Sequence, residues 1–364
     1  MNNKHIAAIA MFFVAVLAVI VVLITTFGTE NAEEKVTIGI IVPGSIDEVG
    51  WNRIHYEGVK QATDELGVNL VLKQNAAEYS GLCGKAVEKM VQAGVKMIIL
   101  GSYNYPNEVA DIIKAHPEVL FFCCSGGFSA DNYKEYFARV YQARYLSGIV
   151  AGMQTKTGRI GYVAAMNNSE VNRGINAFTL GVKRVNPNAT VVVSWTNSWD
   201  DATAETRAVE KLVASENVDL VTYHQNQAHV VDAAESMSIY SVGYNVGHAN
   251  RSQKMLTAVT TDWKVVYREF IQDYLQQKNS ENNYWLGLEK DAVALSFYSE
   301  FVSDSTKSMV QEAILELQSG RDVFVGPIVD NAGKMRCDKD EFLSDNTLRE
   351  EMDWFVAGVR FYEE

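Results

Sequence analysis

Residues 44–58 read GSIDEVGWNRIHYEG and directly follow the apolar run VTIGIIV at residues 36–42. A short apolar strand, a turn with Pro and Gly, and then a helix form the first unit of an open parallel sheet, which binds ligands at its strand ends. Trp51 is therefore expected at a crevice, where its ring can face a planar ligand beside Asp47 and Asn52. The same residues also fit a structural role, in which Trp51 covers the sheet end and Asp47 caps the helix.

The alternation of apolar strands and amphipathic helices continues to about residue 124 and begins again near Gly158. Such alternation predicts parallel strands joined by right-handed crossovers, here in two similar α/β lobes. Between two such lobes a ligand is commonly held in a cleft that closes on it.

The composition limits the kinds of partner that the protein could bind. The net charge is −13 and no run of Lys or Arg is present, which argues against a nucleic-acid surface and disfavours anionic ligands. The four cysteines show no metal-ligand spacing, and Cys123 and Cys124 lie in an apolar run that predicts buried strand positions. The sequence leaves undecided whether Cys83 forms a disulfide with Cys123 or Cys124.

The N-terminal residues 1–34 are predicted to form a signal anchor and linker. Residues 6–27 carry no charged side chain, which is long enough to cross a bilayer as a helix. Lys4 before this run and Glu30 after it place the folded part on the extracytoplasmic face of the cell membrane. Cleavage after a small residue near Gly28 or Ala32 is the alternative.

Six separated motifs follow one another along the chain. They are DEVGWNRIHYEG at 47–58, YQARYLSG at 141–148, EVNRGINAF at 170–178, NSWD at 197–200, GYN at 243–245 and MDWF at 352–355. In this order the chain resembles the basic membrane protein family, the PnrA-like substrate-binding proteins of ABC transporters, from about Val36 to the C-terminus.

The resemblance implies a type I periplasmic-binding-protein fold, with two Rossmann-like lobes joined by a three-crossing hinge. We expect an N-terminal lobe of residues 36–157 plus 264–324 and a C-terminal lobe of residues 158–263 plus 325–364. The hinge crossings are expected near Gly158, Trp263 and Val325.

The resemblance also implies a purine ligand, with Trp51 and Trp199 stacking on its two faces, and a permease and an ATPase as partners. Nucleoside binders of the family hold the ribose with an Asp and a Lys, and this chain departs from them, with Gly247 and Thr261 in those places. The Asp with which those nucleoside binders recognise the base is absent here, and residues 125–126 stand in its place. These departures favour a free nucleobase or a related flat heterocycle, with a nucleoside as the alternative.

The identity of the base stays open. Similar nucleobase binders often carry His-Thr-Asp where this chain has His224, Gln225 and Asn226. An Asp only accepts hydrogen bonds, whereas an Asn both donates and accepts, so the preferred base edge would change. Glu170 either faces the cleft or places a negative charge at a helix N-terminus.

The predicted ligand-binding set follows from these arguments. It consists of Asp47, Trp51, Asn52, Glu170, Trp199, Gln225, Asn226, Tyr244, Asn245, Asp262 and Trp263. The histidines lack metal-ligand spacing and no catalytic motif is present, so we predict no metal, no cofactor and no enzymatic activity. A membrane-tethered sensor that reads a ligand for a partner remains a third class, and neighbouring ATPase and permease genes would favour transport instead.

Overall fold

The computed structural model describes residues 35–47, 50–124, 127–245, 251–278 and 283–363. The strands are β1 (Thr37–Ile41), β2 (Asn69–Lys73), β3 (Met97–Leu100), β4 (Leu120–Cys124), β5 (Tyr133–Ala138), β6 (Arg159–Ala164), β7 (Thr190–Trp195), β8 (Leu220–His224), β9 (Tyr240–Tyr244), β10 (Met255–Thr261), β11 (Tyr284–Leu286), β12 (Val293–Leu295), β13 (Ile328–Val329), β14 (Met335–Cys337) and β15 (Val359–Phe361). The helices are α1 (Trp51–Leu66), α2 (Leu82–Gln92), α3 (Tyr105–Glu108), α4 (Ala110–Ala115), α5 (Val140–Gln154), α6 (Ser169–Val185), α7 (Ala202–Glu216), α8 (His229–Ser236), α9 (Trp263–Leu275), α10 (Asp304–Gln318) and α11 (Asp345–Glu350).

Two sheets form the cores of two lobes. The first sheet has the order β11-β5-β4-β3-β1-β2 and is parallel throughout. The second has the order β12-β10-β9-β8-β6-β7-β15, with only β12 running antiparallel to its neighbour. The predicted α/β class with parallel sheets is confirmed. Strands such as β3 and β8 are buried along their whole length, as expected for sheets covered by helices on both faces.

The lobe boundaries differ from the predicted ones. The chain leaves the first sheet after β5, and the next helix, α5, already packs against α6 of the second lobe. It returns to the first lobe between β10 and α9, and leaves it again between β11 and β12. The first and third crossings therefore lie well before Gly158 and Val325. The three-residue strand β12 pairs with β10, although the prediction assigned its range to the N-terminal lobe.

Glycines set the distance between α5 and α6. A Cβ atom on Gly148 would lie 2.1 Å from the carbonyl oxygen of Phe178, and one on Gly181 would lie 2.0 Å from that of Tyr145. Any side chain at either position would push the helices apart. The glycine that closes the motif at 141–148 is thus explained by packing.

Strand β5 was not predicted because charges interrupt its apolar pattern. Glu135 nevertheless lies in the sheet, where its carboxylate pairs with Arg349 and accepts a 2.8 Å hydrogen bond from the Gly127 N–H. The Glu135 N–H donates to Asn283 Oδ1 at 3.0 Å. Arg349 and Asn283 are far from Glu135 in sequence, so no local pattern predicts these contacts.

All four cysteines are buried and free, so the disulfide left open by the sequence is not formed. The predicted burial of Cys123 and Cys124 in a strand is confirmed. The predicted signal anchor at residues 1–34 lies outside the described residues. Within the described ranges, no helix is long and apolar enough to cross a membrane.

Candidate functional site: the cleft between the lobes

A cavity of about 690 Å³ opens between the two lobes. Its walls are the loops that follow β1, β2 and β3 in the first lobe, and β6, β7, β8 and β9 in the second. The carboxyl ends of parallel strands are where open α/β sheets bind their ligands. Eight residues of the predicted set line it: Trp51, Asn52, Glu170, Trp199, Gln225, Asn226, Tyr244 and Asn245.

Three residues of the predicted set do not line this cavity. The Asp47 carboxylate bonds to the Ser45 hydroxyl at 3.1 Å. Asp262 caps α9 through a 3.4 Å hydrogen bond from the Val265 N–H. Trp263 is only 3% exposed and packs edge-on to Trp51, with ring centroids 5.8 Å apart. Capping and core packing account for Asp262 and Trp263 in this structure.

The two cleft tryptophans are held differently. Trp51 is half-buried in the first turn of α1, its Nε1 donates to the Gly101 carbonyl at 2.9 Å, and its ring packs on His55 at 4.0 Å. Trp199 belongs to the second lobe and keeps 39% of its surface exposed. The first lobe therefore offers an indole fixed by a hydrogen bond, and the second offers one with more than a third of its surface exposed.

His55 belongs to the core beneath Trp51 rather than to the cleft wall. It is fully buried, and its Nδ1 lies 2.6 Å from the Tyr267 hydroxyl. Burial lowers the pKa of His55 well below its ordinary value, so the ring is neutral at physiological pH.

The lobes touch directly beside the cavity. The Trp51 N–H donates to Asn226 Oδ1 at 3.0 Å, and the Asn226 N–H donates to the Trp199 carbonyl at 2.8 Å. Gly50 has a φ of 151°, and a Cβ there would lie 3.0 Å from the Asn226 carbonyl oxygen. Glycine at position 50 thus permits the close approach of the two loops.

This contact also orients the Asn226 side chain. A backbone N–H can only donate, so the Asn226 atom that meets Trp51 is the carbonyl oxygen. The Nδ2 group has no hydrogen-bond partner among the residues that the structure describes. Asn226 therefore has an amide donor left for a ligand in the cleft.

A histidine that the predicted set omitted also lines the cavity. His224 ends β8, is 3% exposed and lines the cavity, with its Nε2 3.5 Å from Glu170 Oε1. Burial lowers the pKa of His224, and the nearby Glu170 only partly opposes this. A neutral imidazole has one donor and one acceptor nitrogen. Its position at a strand end is the signal that could have identified it.

The first lobe contributes a fixed carboxylate. Glu78 accepts hydrogen bonds from the Ser102 hydroxyl, from the Asn104 N–H at 3.0 Å and from Asn104 Nδ2 at 2.8 Å. All three residues line the cavity, and none was predicted. Ser102 and Asn104 follow the end of β3, so the same strand-end rule would have found them.

A buried cation lies behind the second-lobe wall. Arg144 is fully buried, and its guanidinium lies 4.1 Å from the ring centroid of the cleft residue Tyr244 and 5.7 Å from that of Tyr162. Within the described ranges, none of its side-chain nitrogens has a hydrogen-bond partner. The contact with Tyr244 is a cation–π interaction, which gives this arginine of the motif at 141–148 a role in supporting the cleft wall.

The positions that distinguish nucleoside binders are only partly visible. Residues 125–126 and Gly247 lie outside the described residues. Thr261 ends β10, pairs with Val293 and is not among the residues that line the cavity.

Comparisons with known proteins agree with this architecture. The family model described as ABC transporter substrate-binding protein PnrA-like matches residues 35–321. A purine-binding protein of Brucella abortus is 31% identical over 338 residues, which cover 91% of this chain and 95% of the relative. A protein of Haloferax volcanii, provisionally named an ABC transporter glucose-binding protein, is 28% identical over 92% of this chain and 83% of its own length.

A solved structure shares the fold. The transcriptional activator of the comK gene from Bacillus halodurans superposes with a TM-score of 0.69 at 23% identity, covering 78% of this chain and 99% of its own. At this identity the similarity concerns the fold alone.

Proposed function

Because the chain belongs to the PnrA-like family of ABC transporter substrate-binding proteins, we propose that it binds a purine nucleobase in the cleft and delivers it to a permease and its ATPase. Members of this family are extracytoplasmic solute-binding proteins. The apolar residues 6–27 would tether the lobes to the outer face of the cell membrane.

The observation that carries the proposal is the pair of tryptophans, one from each lobe, on a cavity of about 690 Å³. Trp51 is anchored through its Nε1, and Trp199 keeps 39% of its surface exposed to meet a ligand. A flat heterocycle offers a π-face to each ring, and stacking on an aromatic side chain contributes about 1 to 3 kcal/mol per base. The 31% identity to a purine-binding protein supports the same ligand class.

Polar groups on the second lobe would read the edge of the base. Asn226 would donate through Nδ2 to a ring nitrogen or a carbonyl of the purine, while Glu170 and His224 offer further acceptor and donor positions. Gln225, Tyr244, Asn245 and, from the first lobe, Asn52 complete the proposed set. A few placed polar groups in a mostly apolar pocket are the usual means of ligand specificity.

The described residues offer few hydrogen-bond partners for the hydroxyl groups of a ribose. Asp262 is engaged as a helix cap and Thr261 does not line the cavity, so neither is placed to hold sugar hydroxyls. The volume nevertheless favours a second candidate, a purine nucleoside of the same family, because about 690 Å³ lies well within the range of sites for larger ligands.

The ligand class is tested by thermal unfolding and tryptophan fluorescence across purine bases, nucleosides, pyrimidines, sugars and amino acids. A ligand at a hundred times its Kd should stabilise the protein by about 2.7 kcal/mol. We expect purine bases to raise the melting temperature and to quench fluorescence, and to be recovered unchanged, since a binding protein turns over no substrate. A response to sugars or amino acids alone would exclude the purine assignment.

A further inference from the structure

A cluster of three ligand-type side chains lies at the rim of the cleft in the second lobe. Asp200 follows the cleft tryptophan, Glu205 lies in the first turn of α7, and His229 is the first residue of α8. One atom from each, a carboxylate oxygen or an imidazole nitrogen, lies within 4.8 Å of the other two. From this geometry we propose that Asp200, Glu205 and His229 form a binding site for a zinc-like transition-metal ion.

The buried member of the cluster points to a cation. Glu205 is fully buried, and its Oε1 accepts a 3.2 Å hydrogen bond from the Asp201 N–H. Its Oε2 is buried without a hydrogen-bond partner in the part of the chain that the structure describes. A buried carboxylate oxygen that lacks a partner is costly, and a bound cation would satisfy it.

The distances suit a metal better than a hydrogen bond. His229 Nε2 and Asp200 Oδ1 are 3.6 Å apart, which is too long for a hydrogen bond between them. Ligands bound to Zn²⁺ at about 2.0 to 2.2 Å in a tetrahedron are separated by roughly 3.3 to 3.6 Å. The pair is thus already spaced like one edge of a zinc site, and the Glu205 ligand atom lies within 4.8 Å of both.

The donor set selects the class of ion. One imidazole nitrogen and two carboxylate oxygens suit Zn²⁺ and the neighbouring transition metals, whereas Mg²⁺ and Ca²⁺ prefer oxygen ligands alone. Three protein ligands leave a fourth position open. Because Asp200 also lines the cavity, the ion would fix the Trp199 loop to the start of α8 at the edge of the cleft.

The spacing of these residues along the chain does not match a metal motif, which is why the sequence predicted no metal site. Asp200 and Glu205 flank the start of α7, while His229 reaches the cluster from the strand-to-helix connection after β8. Only the folding of two neighbouring units brings them together.

The test is calorimetric titration of the full-length chain, in mild detergent and without an affinity tag, with Zn²⁺ and separately with Mg²⁺. We expect one Zn²⁺ per chain with a micromolar or lower Kd, and at least tenfold weaker binding in His229→Ala and in Asp200→Asn. Co²⁺ should give a visible absorption spectrum in the wild type that His229→Ala loses. Unchanged circular dichroism of the metal-free variants, whose altered side chains are partly exposed, checks that they fold.

His116 supplies the matched control. It also lies near two carboxylates, but Glu88 faces its Nε2 at 3.7 Å and Glu118 faces its Nδ1 at 3.3 Å, so they cannot bind one ion together with a single ring nitrogen. His116→Ala should bind Zn²⁺ like the wild type. Absence of saturable Zn²⁺ binding, equal binding by His229→Ala, or tighter binding of Mg²⁺ than of Zn²⁺ would overturn the proposal. The result is independent of which organic ligand the cleft takes.

Discussion

Replacing Asn226 by Asp should change which purine the cleft prefers. Asn226 Oδ1 accepts the Trp51 N–H at 3.0 Å, so the amide nitrogen is the group left for the ligand. Asp keeps an acceptor for Trp51 but has no donor. A base that accepts from Asn226 should therefore bind the variant less well, and a base that presents an amino group there should bind it better.

The size of the effect follows from the loss of one hydrogen bond in the cleft. Such a bond contributes about 0.5 to 1.5 kcal/mol, and leaving a buried group unpaired costs about 1 to 3 kcal/mol. We expect bases that accept from Asn226 to lose roughly 5- to 150-fold in affinity, since 1.4 kcal/mol corresponds to a factor of ten. Asn226→Ala, which also removes the acceptor for the Trp51 N–H, should weaken all bases together.

The assay is calorimetry of the wild type and of both variants with adenine, hypoxanthine, guanine and xanthine. The melting temperature of ligand-free Asn226→Asp should stay close to that of the wild type, because the contact between the lobes is kept. If Asn226→Asp weakens every base by the same factor and leaves their order unchanged, Asn226 does not read the base edge.

Three further predictions follow from the same geometry. Trp199→Ala should weaken purine binding at least tenfold, because a stacking face is lost, and should cost little stability. Trp263→Ala removes a core ring that is 3% exposed and should lower the free energy of unfolding by about 3 to 5 kcal/mol in chemical denaturation. Equal losses of stability in the two variants would contradict the assignment of Trp199 to the cleft and Trp263 to the core. Gly50→Ala should leave the fold intact but weaken ligand binding several-fold. The added Cβ would lie 3.0 Å from the Asn226 carbonyl oxygen, at a φ of 151°, and would hinder the approach of the two loops. Wild-type affinity of this variant in calorimetry would refute the prediction. The pKa of His55 lies well below 6.5 in the folded protein, so below pH 6.5 the unfolded chain takes up a proton that the native state does not. The free energy of unfolding should therefore fall as the pH is lowered from 7.5 to 5.5, by up to about 1.4 kcal/mol per pH unit. Urea unfolding should show a shallower pH dependence in His55→Phe, and an identical slope would rule out His55 as the source.

The local sequence pattern was enough to predict the secondary-structure elements near the cleft. The apolar run at 36–42 and the motif at 47–58 predicted a strand, a turn and a helix, and β1 and α1 are found there. The rule that ligands gather at strand ends predicted Trp51 at a crevice, the family resemblance pointed to Trp199, and both residues line the cavity. The strand, the turn and the helix could be predicted because each depends on neighbours in sequence.

The remaining features depend on distant partners. Trp51 and Trp263 are both aromatic residues at the start of a helix that follows a strand, and only the packing of α9 on α1 separates the cleft ring from the core ring. Strand β5 tolerates Glu135 because Arg349 pairs with it from the far end of the chain. The hinge was misplaced for the same reason, since α5 joins the second lobe through its contact with α6.

The central claim is most directly tested by calorimetry of the wild-type chain with each purine base and with its own nucleoside. We predict micromolar or tighter binding of at least one base, corresponding to about −8 kcal/mol or better, and binding of that base at least tenfold tighter than of its nucleoside. Tighter binding of adenosine, guanosine or inosine than of the corresponding base would move the assignment to the nucleoside candidate. Binding of glucose or another sugar with no response to any purine would contradict the account.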